Sequence, residues 1–393
     1  MHLSNRQLFL QHVAQTSPAP VGLEIVSANG VHLKGADGKD YIDLISGISV
    51  SNIGHCHPAV VEAIEKQAKT FMHLMVYGEY VQSPQVQLAK ALADLLPKKL
   101  NTVYFVNSGS EANEGALKLA KRFTGRGEMI SCKNSYHGST QGALSMIGSE
   151  EFKTNYRPLL PDVKNIEFNN EEDLVQITNK TACVIVEVIQ SEAGVIAATP
   201  SYLKRLRERC NETGTLLIFD EVQTGFGRTG TFFAFEQYGI IPDILTIGKG
   251  MGGGMPIGAF VSSTEIMSTL THNPVLGHMT TFGGHPVCCA AALANVKVIS
   301  ENKLFERAKD IERIIKQKIS HPKIKEVRAR GALIAVDFGE EALNLKTVTN
   351  CIEHGVITDW FLFNMHSMRI APPLTITDKE LEKACEVIVK SIG

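Results

Sequence analysis

Short runs of uninterrupted apolar residues alternate with amphipathic stretches through the middle of this chain, and that rhythm restricts its fold more than any other feature. The runs lie at 103–106, 129–130, 183–186, 216–219, 244–247 and 259–261, and stretches such as 112–123 and 201–213 carry helical spacing between several of them. A strand that is apolar at every position has no face to give to water, so it belongs in a mostly parallel sheet with helices on both sides. Such α/β sheets bind ligands beyond the carboxyl ends of their strands, and Ser108, Glu187, Asp220 and Lys249 all fall there.

At 393 residues the chain exceeds one hydrophobic core, which predicts two unequal domains. Residues 1–50 read as an N-terminal arm and strands of the smaller domain, because Asn29-Gly30 and Asp37-Gly38 are turn dipeptides between β-type residues. Residues 51–299 form the large α/β domain, with helical spacing after Pro58 and over 86–96. Residues 300–393 form a small α+β domain, with strands at 333–338 and 368–370 and a closing amphipathic helix that Asp378 caps. Charged residues are 20% of the chain and the net charge is −2, with no block of like charges, which argues against nucleic-acid or membrane-surface partners. No apolar run approaches the ~20 residues of a membrane span, and the start, Met1-His2-Leu3-Ser4, does not read as a secretory signal. Eight cysteines without a Cys-x-x-Cys pair read as free thiols in a reducing compartment. The expectation is a cytoplasmic protein.

The chemistry concentrates at two strand ends. The run Asp243-Ile244-Leu245-Thr246-Ile247-Gly248 ends in Lys249 and opens into Gly252-Gly253-Gly254, while the run at 215–219 delivers Asp220 and Glu221. A lysine for a Schiff base and an aspartate for a pyridinium nitrogen are what pyridoxal 5′-phosphate (PLP) requires of a protein. Lys249 must lose its proton to attack an aldehyde, which desolvation promotes, and once released it is the natural base for the substrate's α-proton. Asn107-Ser108-Gly109-Ser110-Glu111 follows a strand and opens a helix, so its amides suit a phosphate, although a plain serine cap has the same pattern. His55 and His57 sit close together, but a zinc site needs a third ligand that the sequence does not offer, so no metal is expected.

Five segments carry a family resemblance: Ser108-Gly109-Ser110-Glu111-Ala112-Asn113-Glu114, Tyr136-His137-Gly138, the stretch from Asp220-Glu221-Val222-Gln223 to Arg228, Gly248-Lys249-Gly250, and Thr281-Phe282-Gly283-Gly284-His285-Pro286. In that order they resemble the class III, or ω-amino, PLP-dependent aminotransferases of the acetylornithine/ornithine type. The resemblance implies the PLP-dependent transferase fold type I and a homodimer with active sites at the subunit interface. It further implies that Gly109 and Ser110 bind the phosphate, that Tyr136 stacks on the ring and Val222 packs on its other face. Gln223 would reach the ring hydroxyl, and Thr281 would complete the phosphate site of the partner subunit.

The same resemblance assigns the substrates, an amine donor and a 2-oxo acid. Arg369 in Met368-Arg369-Ile370-Ala371-Pro372-Pro373 matches the arginine that takes a carboxylate, and Glu192 matches the acid that covers it, with Glu187 five residues earlier. A guanidinium suits a carboxylate because it donates a bidentate pair of bonds. Two positions depart from the pattern. His137-Gly138-Ser139-Thr140 has serine where acetylornithine, ornithine and 4-aminobutyrate enzymes carry a second arginine, and Ile48 stands where ornithine-type enzymes carry tyrosine. Arg157 is the candidate to replace the missing arginine. The expected activity is ping-pong transfer from an acetylornithine- or ornithine-like ω-amine to a 2-oxo acid. A pyruvate-linked amine or diamine transaminase, a 4-aminobutyrate aminotransferase, a PLP aminomutase and a catalytically inert binding protein are the alternatives.

Overall fold

Seven strands form the main sheet of the computed structural model, which describes residues 4–393; Met1–Leu3, the first residues of the expected arm, lie outside the described residues. Their spatial order is Thr102–Val106, Gly258–Ser262, Ile244–Ile247, Leu216–Asp220, Thr181–Val186, Glu128–Cys132 and Val163–Ile166. All pairs are parallel except those of Gly258–Ser262, which runs antiparallel to both neighbours. That strand reverses direction because residues 248–257 turn back without a crossover helix, helped by the left-handed Gly253 and Gly254.

The continuous apolar runs are explained by burial on both faces. Leu217 and Phe219 enter one core cluster with Val184, Val186, Leu245 and Ile247, while Ile218 enters another with Cys183, Ile185, Ile244 and Phe260. Alternate side chains of one strand thus serve opposite cores. The helix Gly109–Thr124 covers the second face through Ala112, Ala116, Leu119 and Ala120. It begins at Ser108, whose Oγ accepts from Glu111 N at 3.1 Å, and ends at the left-handed Gly125.

The seventh strand, Val163–Ile166, has no counterpart among the expected runs. It is an edge strand with Lys164 exposed and Asn165 partly buried, so its sequence lacks the apolar continuity of the centre. The closing helix spans Asp378–Ser391, and its cap is Thr377 rather than Asp378. Thr377 Oγ1 accepts from Glu380 N, and Glu380 Oε2 accepts from Thr377 N at 2.9 Å, a reciprocal pair that Asp378 is one residue too late to make. The strand expected at 368–370 is the end of a seven-residue strand, Asn364–Ile370.

Besides a two-stranded pairing of Ile189–Gln190 with Ile196–Ala197, the described residues form two four-stranded sheets. One joins Ile25–Asn29, His32–Gly35 and Asp40–Asp43 to Val356–Ile357, and the other orders Glu326–Arg330, Leu333–Asp337, Asn364–Ile370 and Asp359–Phe361. Val31, Ile42 and Leu44 share a core cluster with Ile311, Ile334, Ile370 and Ile388, so the early strands pack with the end of the chain. No helix of the described residues is long and apolar enough to cross a membrane.

Close approach between the helix Gly109–Thr124 and the main sheet sets a limit on residue size. A Cβ on Gly115 would lie 2.2 Å from Phe260 Cε1. Gly115→Ala is therefore expected to destabilise the protein by ~1–3 kcal/mol despite the better helix propensity of alanine. A thermal melt checks this, and a midpoint equal to or above the parent's would contradict the packing argument.

Candidate active site

Five strand ends and the turns that follow them line a cavity of about 510 Å³. Gly109, Ser110, Asn113, Tyr136, His137, Glu187, Glu192, Asp220, Val222, Gln223 and Lys249 all line it. The strands Leu216–Asp220 and Ile244–Ile247 pair in parallel with Asp220 opposite Thr246, so Asp220 and Lys249 emerge at the same sheet edge. Lys249 lies just past its strand with a left-handed φ of 40°, a conformation unusual for a side-chain-bearing residue. Its Nζ donates to Gln223 Oε1 at 2.7 Å. Burial is the main cause that holds the Lys249 amine below the usual lysine range; Arg369 pushes the same way, and Glu192, Asp220 and Glu187 oppose it.

Asp220 is held from two sides. Its Oδ2 lies 2.8 Å from His137 Nδ1 and accepts from Asn113 Nδ2 at 2.8 Å, while Oδ1 accepts from Val222 N at 3.0 Å. Both partners are buried, and Asn113 also donates to His137 O at 2.7 Å. His137 and Asn113 were visible in the sequence inside two of the family segments, but no periodicity or spacing showed that they meet at Asp220.

Glu187 is buried beside the lysine. Its Oε1 accepts from Tyr136 N at 3.0 Å and Oε2 from Ser191 N at 3.2 Å. Desolvation still pushes its carboxyl up to about 7, with Asp220 adding to the rise and His137 opposing it. Glu192 lines the cavity and accepts a bidentate pair from Arg369, Nη1 to Oε1 and Nη2 to Oε2, each at 2.8 Å. Arg369 itself is only 2% exposed and lies behind Glu192, outside the cavity lining.

Other candidates fall elsewhere. Ser139 is exposed at the cavity and its Oγ lies 2.9 Å from the Tyr136 hydroxyl. Ile48 is half-exposed on a turn with a left-handed φ of 64°, outside the lining, although Val50 belongs to it. Thr281 is exposed and does not line this chain's cavity; its carbonyl accepts from His73 Nε2 at 2.8 Å. Arg157 pairs with Glu150 on the surface and stays out of the cavity. His55 lies 2.7 Å from Asp43 Oδ2, and His57 Nδ1 accepts from Ala59 N at the start of the helix Pro58–Thr70, so both have structural partners.

The family description Aminotransferase class-III matches residues 13–392. The chain belongs to the class-III aminotransferases. Acetylornithine aminotransferase of Methanocaldococcus jannaschii is 41% identical over 373 residues, covering 91% of this chain and 90% of its own. Acetylornithine aminotransferase of Methanopyrus kandleri is 39% identical over 376 residues, covering 95% and 94%. Ornithine aminotransferase from Toxoplasma gondii superposes with a TM-score of 0.91 at 30% identity, covering 99% of this chain and 95% of its own. A second Toxoplasma gondii structure, with a TM-score of 0.90 at 31% identity and coverage of 98% and 92%, has partial occupancy of PLP at its active site. This class-III aminotransferase is a PLP-dependent transaminase of fold type I.

The cavity fits that cofactor. Gly109 and Ser110 head a helix, where amides have no carbonyl one turn earlier, and a Cβ on Gly109 would strike Val222 Cγ1 at 2.5 Å. Gln223 Nε2 is buried without a hydrogen-bond partner among the described residues and so offers a donor in the wall. Asp220 supplies a fixed carboxylate in the same lining.

Glu187 gives this aminotransferase a pH signature. Its pKa is raised from 4.5 to about 7, so the folded protein holds the proton more tightly than the unfolded chain. The stability it contributes is fully present below about pH 4.5 and is lost as pH rises through about 7. Glu187→Gln cannot ionise, and its melting temperature relative to the parent is expected to climb between pH 4.5 and pH 7. A difference that stays constant across that window would contradict the assignment.

Proposed function

We propose that this aminotransferase moves an amino group from an ω-amine of the acetylornithine or ornithine type to a 2-oxo acid by a ping-pong mechanism. The observation that carries the reading is the bidentate Glu192–Arg369 pair at the cavity wall. A guanidinium covered by a movable carboxylate lets one pocket take an amine-ended donor and then a carboxylate-bearing acceptor. The donor class is supported by the 41% and 39% identical relatives, which are named acetylornithine aminotransferases.

In this reading Gly109 and Ser110 would take the PLP phosphate, Tyr136 and Val222 would pack against the ring, and Gln223 would reach its hydroxyl. Asp220, whose direction His137 and Asn113 fix, would hold the ring nitrogen. When bound, PLP supplies an electron sink for the charge left as the carbon bearing the amine loses a proton. Lys249 Nζ, its pKa lowered by burial, accepts that proton and returns it.

A second reading, pyruvate-linked amine transfer, is favoured by one observation. Among the described residues that line the cavity none is an arginine, and the position after Gly138 carries the neutral Tyr136–Ser139 hydroxyl pair. The two readings separate in a half-reaction panel of L-glutamate, L-alanine, N-acetylornithine, ornithine, 4-aminobutyrate and putrescine, followed by the cofactor's absorbance. Fast conversion by N-acetylornithine and glutamate is the expected result. Conversion by alanine and putrescine with glutamate inert would transfer the assignment to the second reading, and Ser139→Arg should then restore glutamate.

We further propose that the active unit is a homodimer in which Thr281 completes the partner's phosphate site. Val81, Met72, Tyr80, Met279 and Phe282 are more than half exposed, and the two segments that carry them touch through His73 and Phe282, ring centroids 5.0 Å apart. An apolar face of this kind, with Thr281 on it and outside its own cavity, suits a second copy of the chain. Phe282→Lys is expected to shift the mass measured by light scattering toward the monomer and to weaken PLP binding; a parent-like dimer with parent-like PLP affinity would contradict the proposal.

A further inference from the structure

Arg369 has a second carboxylate beside it. Asp359 begins the strand Asp359–Phe361 and stands opposite Arg369 in its antiparallel pairing with Asn364–Ile370. Asp359 Oδ1 lies 3.1 Å from Arg369 Nε, yet the N–H is not aimed at it, and both buried atoms lack a hydrogen bond among the described residues. Glu192, by contrast, is fully engaged: it takes both Nη atoms of Arg369, and Oε2 also accepts from Leu362 N at 3.1 Å. The Trp360 carbonyl accepts from Nη2 at 2.7 Å, and the Phe361 ring lies 4.7 Å from the guanidinium carbon.

One guanidinium therefore faces two carboxylates. Burial is the main cause that pushes the Asp359 carboxyl up to about 7; Arg369 pulls it down, and the Glu192 and Asp43 charges add to the rise. A structural ion pair would align its hydrogen bond, whereas this one leaves donor and acceptor unspent.

We propose that Asp359 is a specificity-determining residue, a second carboxylate that sets how strongly Arg369 can hold the carboxylate of a substrate. The inference rests on the reading of Arg369 as the carboxylate-binding arginine. Glu192 occupies the Nη edge that opens toward the cavity, so a substrate carboxylate displaces Glu192 and leaves Asp359 in place on the Nε side. Once Glu192 is displaced, an ionised Asp359 already neutralises the guanidinium that the incoming anion meets. Without that charge the same anion meets an uncompensated guanidinium. Asp359 thus weakens carboxylate binding and shifts preference toward donors that present only an ammonium group.

The test uses the holoenzyme at pH 8.5, where the Asp359 carboxyl is ionised. Two quantities are read: the calorimetric Kd of glutarate, an unreactive carboxylate, and the ratio of kcat/KM for 4-aminobutyrate over butylamine, a pair that differs by the carboxylate alone. Asp359→Asn, which keeps the shape, is expected to tighten glutarate and raise the ratio about fivefold each, and Asp359→Glu to return both toward the parent. Glu192→Gln and Arg369→Ala are the comparators. Parent-like values in Asp359→Asn while Glu192→Gln shifts both would overturn the role of Asp359 alone. Parent-like values in Arg369→Ala would overturn the reading of Arg369 and this inference with it.

Discussion

The parallel pairing of Leu216–Asp220 with Ile244–Ile247 is the constraint on which the site depends. It sets Asp220 opposite Thr246 and carries the chain to Lys249 three residues later. Because side chains alternate across a strand, a slip of one residue would turn Asp220 toward the opposite core and remove it from the cavity. Burial on both faces forbids that slip, since Leu217 and Phe219 on one side and Ile218 on the other are each committed to a packed cluster. The apolar runs that make the strands stable are thus also what aims the two reactive groups.

Around this frame the charges are arranged so that few of them are free. Asp220 is fixed by His137 and Asn113 and Glu187 by two backbone amides, while Glu192 pairs with Arg369. Lys249 is left adjustable: burial lowers its pKa, and Gln223 is its hydrogen-bond acceptor. A lysine that is easily neutralised, next to acids whose partners are already assigned, suits an amine that must move protons without losing its place.

The sheet and its ligand edge were legible because they are local patterns. Apolar runs ending in Ser108, Glu187, Asp220 and Lys249 carry their burial in the sequence itself. The edge strand Val163–Ile166 was not, because only Ile166 of its four residues is buried and its pattern is that of a loop. The cap at Thr377 was missed by one residue, since threonine and aspartate are both good caps and only the reciprocal bond with Glu380 decides between them. The partnership of Ile25–Asn29, His32–Gly35 and Asp40–Asp43 with Val356–Ile357, and the approach of Asp359 to Arg369, arise from long-range pairing that no short spacing encodes. His137 and Asn113 illustrate the same limit at the site: both stood in recognisable segments, but their meeting at Asp220 is a product of the fold.

The most direct test of the account is to treat the PLP-loaded protein with borohydride, digest it, and locate the reduced cofactor by mass spectrometry. The account predicts that it is attached to the peptide containing Lys249 and to no other lysine. Attachment elsewhere, or a cofactor that washes away unreduced, would contradict the placement of Lys249 at the centre of the chemistry.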